Sequence, residues 1–179
     1  GRLGSAAHAG YHSLMDMRVT ANGHVSFLGK RFRCALGKGG VRWDKREGDG
    51  ATPAGVWPLR RLLYRSDRLA LPTTELPSAE ISEADGWCDD PRDGAYNQPV
   101  TLPYDARTEA LWREDHIYDL VVVLGYNDDP PVPHKGSAIF FHLARPGFES
   151  TEGCIAVSLD DMRTILKACD THTRMVIQP

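Results

Sequence analysis

The run Leu120-Val121-Val122-Val123-Leu124 constrains the chain more than any other feature. Five consecutive apolar residues, three of them β-branched, are too few for a helix and too apolar for a strand with one wet face. They predict a strand over 118–124 that is covered on both sides, so the fold needs layers of structure on either side of a sheet. A chain of 179 residues is long enough to supply such layers in one domain without disulfide staples. The same run is far short of the roughly 20 residues that span a bilayer, so no transmembrane segment is expected. With 24 acidic against 21 basic residues and a net charge of −3, the chain lacks the cationic excess of a nucleic-acid binder.

Other segments point the same way. Residues 17–21 and 24–28 flank Asn22-Gly23, and this pair suits the positive φ angles of a two-residue type I′ turn. Gly29 leads into a further strand to Leu36, and 56–63 reads as another. Ser137 to Leu143 and Cys154 to Val157 read as buried strands, and 173–177 as a last one. Ser158, with Asp161 three residues on, caps a helix whose apolar face is Leu159, Met162, Ile165, Leu166 and Cys169. A short helix is expected over 108–113. The segment 66–102, with Pro72, Pro77, Pro91 and Pro99, reads as a loop-rich insertion over the core. The fold class is therefore mainly β with a few short helices, in a single domain over 13–179. Residues 1–12 are expected to be a flexible tail, an expression remnant or a processed end. His8 and His12 within it have a metal-like spacing that a tail explains better.

Charge is unevenly placed. Residues 30–68 hold eleven basic and four acidic residues; 75–129 hold three basic and fourteen acidic. Two solvated faces explain this, as does a bipolar surface for a ligand bearing both amines and carboxylates. Cys34, Cys88, Cys154 and Cys169 form no Cys-x-x-Cys pair, so no zinc site is expected. Cys34 and Cys169 read as small core residues, whereas Cys88 falls in a loop. Asp89, Asp90 and Asp93 lack the remaining spacing of a calcium loop, and no metal or cofactor is expected.

The chemistry lies in Phe140-Phe141-His142-Leu143-Ala144-Arg145 and Thr151-Glu152-Gly153-Cys154-Ile155. A histidine can take a cysteine's proton and make it a nucleophile. Gly153 allows close backbone approach, and amides at Gly153 and Cys154 suit an oxyanion. By itself a His and a Cys separated by a loop fits core packing as well. The wording adds to this: the segment resembles the L,D-transpeptidase (YkuD-type) family, whose signature is a His, a variable loop and Ser/Thr-x-Gly-Cys-Ile/Val. Gly50-Ala51-Thr52-Pro53-Ala54-Gly55 resembles that family's Thr-Pro-x-Gly element. The likeness runs from about Asp16 to the carboxyl end. Two departures stand out: Glu152 precedes Gly-Cys where a basic or polar group is usual, and Ala156 replaces a common Arg. Gly86 to Pro91 and Val123 to Asp128 resemble a divergent branch.

The resemblance implies a β-sandwich-like catalytic domain that acts on peptidoglycan stem peptides in the periplasm or cell envelope. Cys154 is then the nucleophile that forms a thioester with a donor stem peptide, His142 the general base and acid, and Gly153 an oxyanion amide. An acceptor amine completes a 3-3 crosslink, or the 1-3 crosslink of a divergent branch, and carbapenem-type inhibitors are expected to acylate Cys154. Arg145, Thr151, Glu152, His134, Tyr126 and Trp87 are candidate substrate-binding residues. Arg145 is placed to replace the charge lost at Ala156; for His134 a surface loop is the plainer explanation, loop anchoring explains Trp87 equally well, and turn formation is the plain alternative for Tyr126. Two other functions remain open: an L,D-carboxypeptidase or amide hydrolase, and a peptidoglycan-binding module with a dyad weakened by Glu152.

Overall fold

The structure is a computed structural model that describes residues 15–179. The expected tail over 1–12, with His8 and His12, lies outside these residues. Strands β1 (Asp16–Thr20), β2 (His24–Phe27) and β3 (Lys30–Arg33) form the expected meander. The turn chemistry differs from the expectation. Thr20 pairs with His24 across three residues, with only Gly23 at positive φ. The two-residue turn falls instead at Leu28-Gly29, both at positive φ, between paired Phe27 and Lys30.

Strands β4 (Val41–Arg42) and β5 (Thr52–Pro53) pair with each other and bracket a loop that crosses one face of the molecule. The ten-residue β6 (Gly55–Tyr64) is the hinge of the architecture. Its first part pairs with the last strand, β14 (Arg174–Gln178), which in turn runs parallel to β1. Its second part pairs with β11 (Leu120–Leu124), followed by β12 (Phe140–Leu143) and β13 (Ile155–Val157), while the short β7 (Ser78–Glu80) flanks it. Beyond β3, Ala35 bridges to Ala156 and Gly37 to Thr151, so the two far edges meet and the sheet closes into a sandwich-like barrel.

The interior is filled from both halves by Met17, Val25, Leu62, Val122, Phe141, Ile155 and Met175, among others. Helix α1 (Leu159–Ala168) adds Met162, Ile165 and Leu166. Ser158 caps it by accepting the Asp161 N–H at 3.1 Å. Pro146–Phe148 forms one 3-10 turn, so the helical content is smaller than expected. The segment predicted as a helix over 108–113 contains instead β10 (Thr108–Ala110). With β8 (Asp85–Cys88) and β9 (Pro99–Thr101) it forms a small separate sheet in the order β10-β8-β9. The 66–102 segment thus carries three short strands.

This second sheet explains why β11 is apolar throughout. All five of its residues are buried. Leu120, Val122 and Leu124 enter the interior, whereas Val121 and Val123 point outward and pack with Phe140, Cys154, Trp87, Tyr118 and Leu111. Strand alternation therefore divides the molecule into a main core and a second core under the small sheet. The second core carries the cysteine.

Candidate active site

Parallel pairing of β12 with β13 sets the site. Phe141 lies opposite Ile155 and His142 opposite Ala156, which puts Cys154 one step earlier, beside Phe140. Cys154 and His142 thus share a face on neighbouring strands, two positions apart, or about 8 Å between Cα atoms. Both open on a cavity of about 590 Å³. Its walls come from the loop at Lys45, Glu47 and Gly48, the small sheet and its flanks, and the segment 145–152.

The thiol is held from two sides. Phe140 N–H donates to Cys154 Sγ at 3.3 Å, and Sγ–H donates to the Ala138 carbonyl at 3.3 Å. Ala138 presents that carbonyl from the left-handed region, at φ 53, a conformation that costs an alanine about 1 kcal/mol or more. The conformation is fixed from below, because Ala138 N–H donates to Asn97 Oδ1 at 3.0 Å. Burial pushes the Cys154 thiol up to about 12, with the Glu109 charge adding to the rise. The Phe140 N–H and Lys45 oppose it.

His142 is equally buried. Its Nδ1 lies 2.9 Å from the Leu143 carbonyl, which can only accept, so Nδ1 carries the proton and Nε2 keeps its lone pair. Burial lowers the imidazole to about 4, aided by Arg113 and Arg145 and opposed by the Leu143 bond. The Tyr118 ring meets the imidazole edge-on at 5.2 Å. The pair is therefore a neutral thiol and a neutral imidazole of defined tautomer, suited to proton transfer during attack rather than to a standing thiolate.

Gly153 sits at φ 137, where a Cβ would lie 2.7 Å from the Ala51 carbonyl oxygen, so only glycine fits. Its amide does not face the cavity as expected of an oxyanion donor, because it is taken by Thr151 Oγ1 at 3.1 Å. The same hydroxyl donates to the Cys154 carbonyl at 2.6 Å. Thr151 thus builds the turn that presents the cysteine. Among the described residues, the Cys154 N–H has no partner and is the amide left for an oxyanion.

The remaining candidates divide. Arg145, Thr151 and Glu152 line the cavity; Trp87, Tyr126 and His134 do not. Trp87 is buried edge-on against Phe140 at 5.1 Å, with its indole N–H on Asn97 Oδ1. Tyr126 packs against Trp57 at 4.9 Å and donates its hydroxyl to the Lys135 carbonyl. His134 occupies a turn at φ 69, and its carbonyl accepts the Glu47 N–H. These three shape the walls from behind. Glu152 turns outward to Lys38 Nζ at 2.9 Å, and the carboxylate that opposes thiol ionisation is Glu109. All four cysteines are free and buried, Cys88 included.

A family model for the L,D-transpeptidase catalytic domain matches residues 15–177. The chain belongs to that family. No curated protein matches it. As an L,D-transpeptidase-family domain it is of an enzyme type that acts on peptidoglycan in the cell envelope. No helix among the described residues is long and apolar enough to cross a membrane. The departures from the family's usual wording have a place in this geometry. Ala156 lines the cavity on the same face as His142, and Arg145 reaches that cavity from the neighbouring loop, 3.5 Å from Asp115. Sequence reasoning missed Glu109, Tyr118, Lys45 and Arg113, which also line it. Reading 108–113 as a helix hid Glu109, since a helix there would have sent it to solvent.

Proposed function

We propose that the protein is a peptidoglycan L,D-transpeptidase in which Cys154 is the nucleophile and His142 its general base. The observation that carries this is the pairing of a cavity-floor thiol with an imidazole whose free Nε2 is set by the Leu143 bond. In the first step Sγ attacks the donor carbonyl while its proton leaves the Ala138 carbonyl for His142 Nε2. The oxyanion is received by the Cys154 N–H, an interaction typically worth about 3–4 kcal/mol. His142 returns the proton to the departing D-amino acid, leaving a thioester on Cys154. An acceptor amine then attacks, its surplus proton passes through His142 to sulfur, and the crosslink is released.

Cations and carboxylates both line the cavity, with Arg145, Arg113 and Lys45 among the first and Glu47, Asp89 and Glu109 among the second. That mixture suits stem peptides, which carry both carboxylates and an amine. Arg145 is the carboxylate-binding candidate, since a guanidinium can hold a carboxylate in bidentate fashion. Periplasmic action and acylation by carbapenems follow from the same reading.

Incubation of purified muropeptides with wild type and Cys154→Ala separates the readings. The expected result is new dimers with wild type and none with the variant, and fragmentation then shows whether the link is 3-3 or 1-3. Trimmed monomers without dimers mean a carboxypeptidase. No change in either sample means a peptidoglycan-binding module.

A further inference from the structure

One carboxyl on the cavity wall has no counterpart in the mechanism above. Glu109, on β10, is half-buried with a single hydrogen bond, from the Tyr118 hydroxyl to Oε1. Among the described residues it forms no ion pair. The cavity's cations are engaged elsewhere: Lys45 with Asp49 at 2.9 Å, Arg107 with Asp89 at 3.1 Å, and Arg113 and Arg145 with Asp115 at 2.7 and 3.5 Å. No buried side-chain oxygen among the described residues lacks a partner, so the second Glu109 oxygen is reached by solvent, on a residue that lines the cavity.

The surroundings favour a cation there. Desolvation raises the carboxyl, and the charges of Asp89 and Glu47 add to this against the Tyr118 bond and Arg113. A carboxylate in that position gains more from an arriving positive charge than an exposed one does, because water screens it less. Glu109 is also on the side of the chemistry. Its partner Tyr118 packs edge-on against His142 at 5.2 Å and against Phe140 at 5.9 Å, and Phe140 N–H holds the sulfur.

We infer that Glu109 receives the acceptor: its carboxylate binds the primary ammonium of a diamino-acid side chain and takes the proton that the amine must lose before attacking the thioester. The inference rests on the transpeptidase reading. The step balances. One ammonium proton moves to Glu109, and the amine forms a C–N bond at the thioester carbonyl. A second proton passes through His142 to Cys154 sulfur as the C–S bond breaks, and Glu109 later releases its proton to water. Tyr118 is the positioning residue that holds the carboxyl in place.

The test compares two nucleophiles attacking one thioester: a muropeptide with a free diamino-acid side chain, and hydroxylamine, which is mostly uncharged at neutral pH. Both meet the same acyl-enzyme, so any effect of a substitution on the thiol cancels in the ratio of their products. Glu109→Gln keeps the Tyr118 bond through its amide oxygen and removes the charge. The ratio of crosslinked to hydroxamate product is expected to fall at least tenfold in that variant. Glu109→Asp, which retains the charge one methylene further back, is expected to restore a substantial part of it. An unchanged ratio in Glu109→Gln overturns the inference, as does an equal loss in both variants, which marks a purely steric role. Failure of wild type to form a thioester overturns the transpeptidase reading and this inference with it.

Discussion

Cys154 rests as a thiol because it is enclosed: burial raises it to about 12, and its proton is occupied by the Ala138 carbonyl. His142 rests uncharged for the same reason, lowered to about 4. The sign of the pH effect follows. A raised thiol is protonated throughout the neutral range, and its thiolate fraction grows tenfold with each pH step of one until the raised value is reached. Alkylation of Cys154 by iodoacetamide, followed by peptide mapping, is therefore expected to rise about a hundredfold between about pH 7 and pH 9. A rate independent of pH over that window contradicts a neutral resting pair. At the same scale, the motif around Cys154 was legible because it is short and contiguous in sequence. The role of each amide was not. Whether Gly153 N–H faces a substrate or Thr151 Oγ1 depends on how the 151–154 turn folds, and nothing in Thr-Glu-Gly-Cys decides between them.

At the scale of elements, the segment leading into β12 is held by a part of the chain with little periodicity. Asn97, at φ 57 between β8 and β9, accepts from Trp87 Nε1 at 2.9 Å and Ala138 N–H at 3.0 Å. It also donates to the Tyr126 and Asn127 carbonyls at 3.0 and 2.8 Å. One buried side chain thus ties the small sheet to the segment that presents the thiol's acceptor. Asn97→Ala leaves these four groups without partners and is expected to cost about 2–4 kcal/mol, read by urea denaturation. It is also expected to slow acylation of Cys154 at temperatures where the fold survives, because Ala138 loses its anchor. A loss under about 0.5 kcal/mol with acylation intact contradicts the tie. The strong elements were legible in sequence: β11 from its apolar run, α1 from its cap and apolar face. The small sheet was not. Strands of three or four residues such as Thr108–Ala110 are shorter than a period-two signal needs, and their pairing is fixed by contacts distant in sequence. The hairpin at Asn22-Gly23 stands where the sequence places it, but the register pairs Thr20 with His24, so the turn has three residues and only Gly23 takes a positive φ.

Across the whole molecule, the uneven charge distribution is partly neutralised by folding. Arg60 pairs with Asp128 at 3.0 Å and Arg68 with Asp119 at 2.7 Å, joining the basic first half to the acidic middle. Arg65 lies over the Trp112 ring at 3.5 Å, and Tyr96 of the 66–102 segment donates to Glu47 at 2.6 Å. These pairs tie the basic first half to the two ends of β11, and charges of both signs remain around the cavity. Sequence counting showed the asymmetry; only the fold shows which charges pair and which face the thiol. In the proposed function this layered arrangement makes Cys154, alone of four buried cysteines, the acyl carrier. Intact-mass analysis and peptide mapping after incubation with a muropeptide donor and no acceptor test it directly. One donor-derived acyl group per chain is expected, on the peptide containing Cys154 and absent from Cys154→Ala. No adduct, or an adduct on Cys34, Cys88 or Cys169, contradicts it.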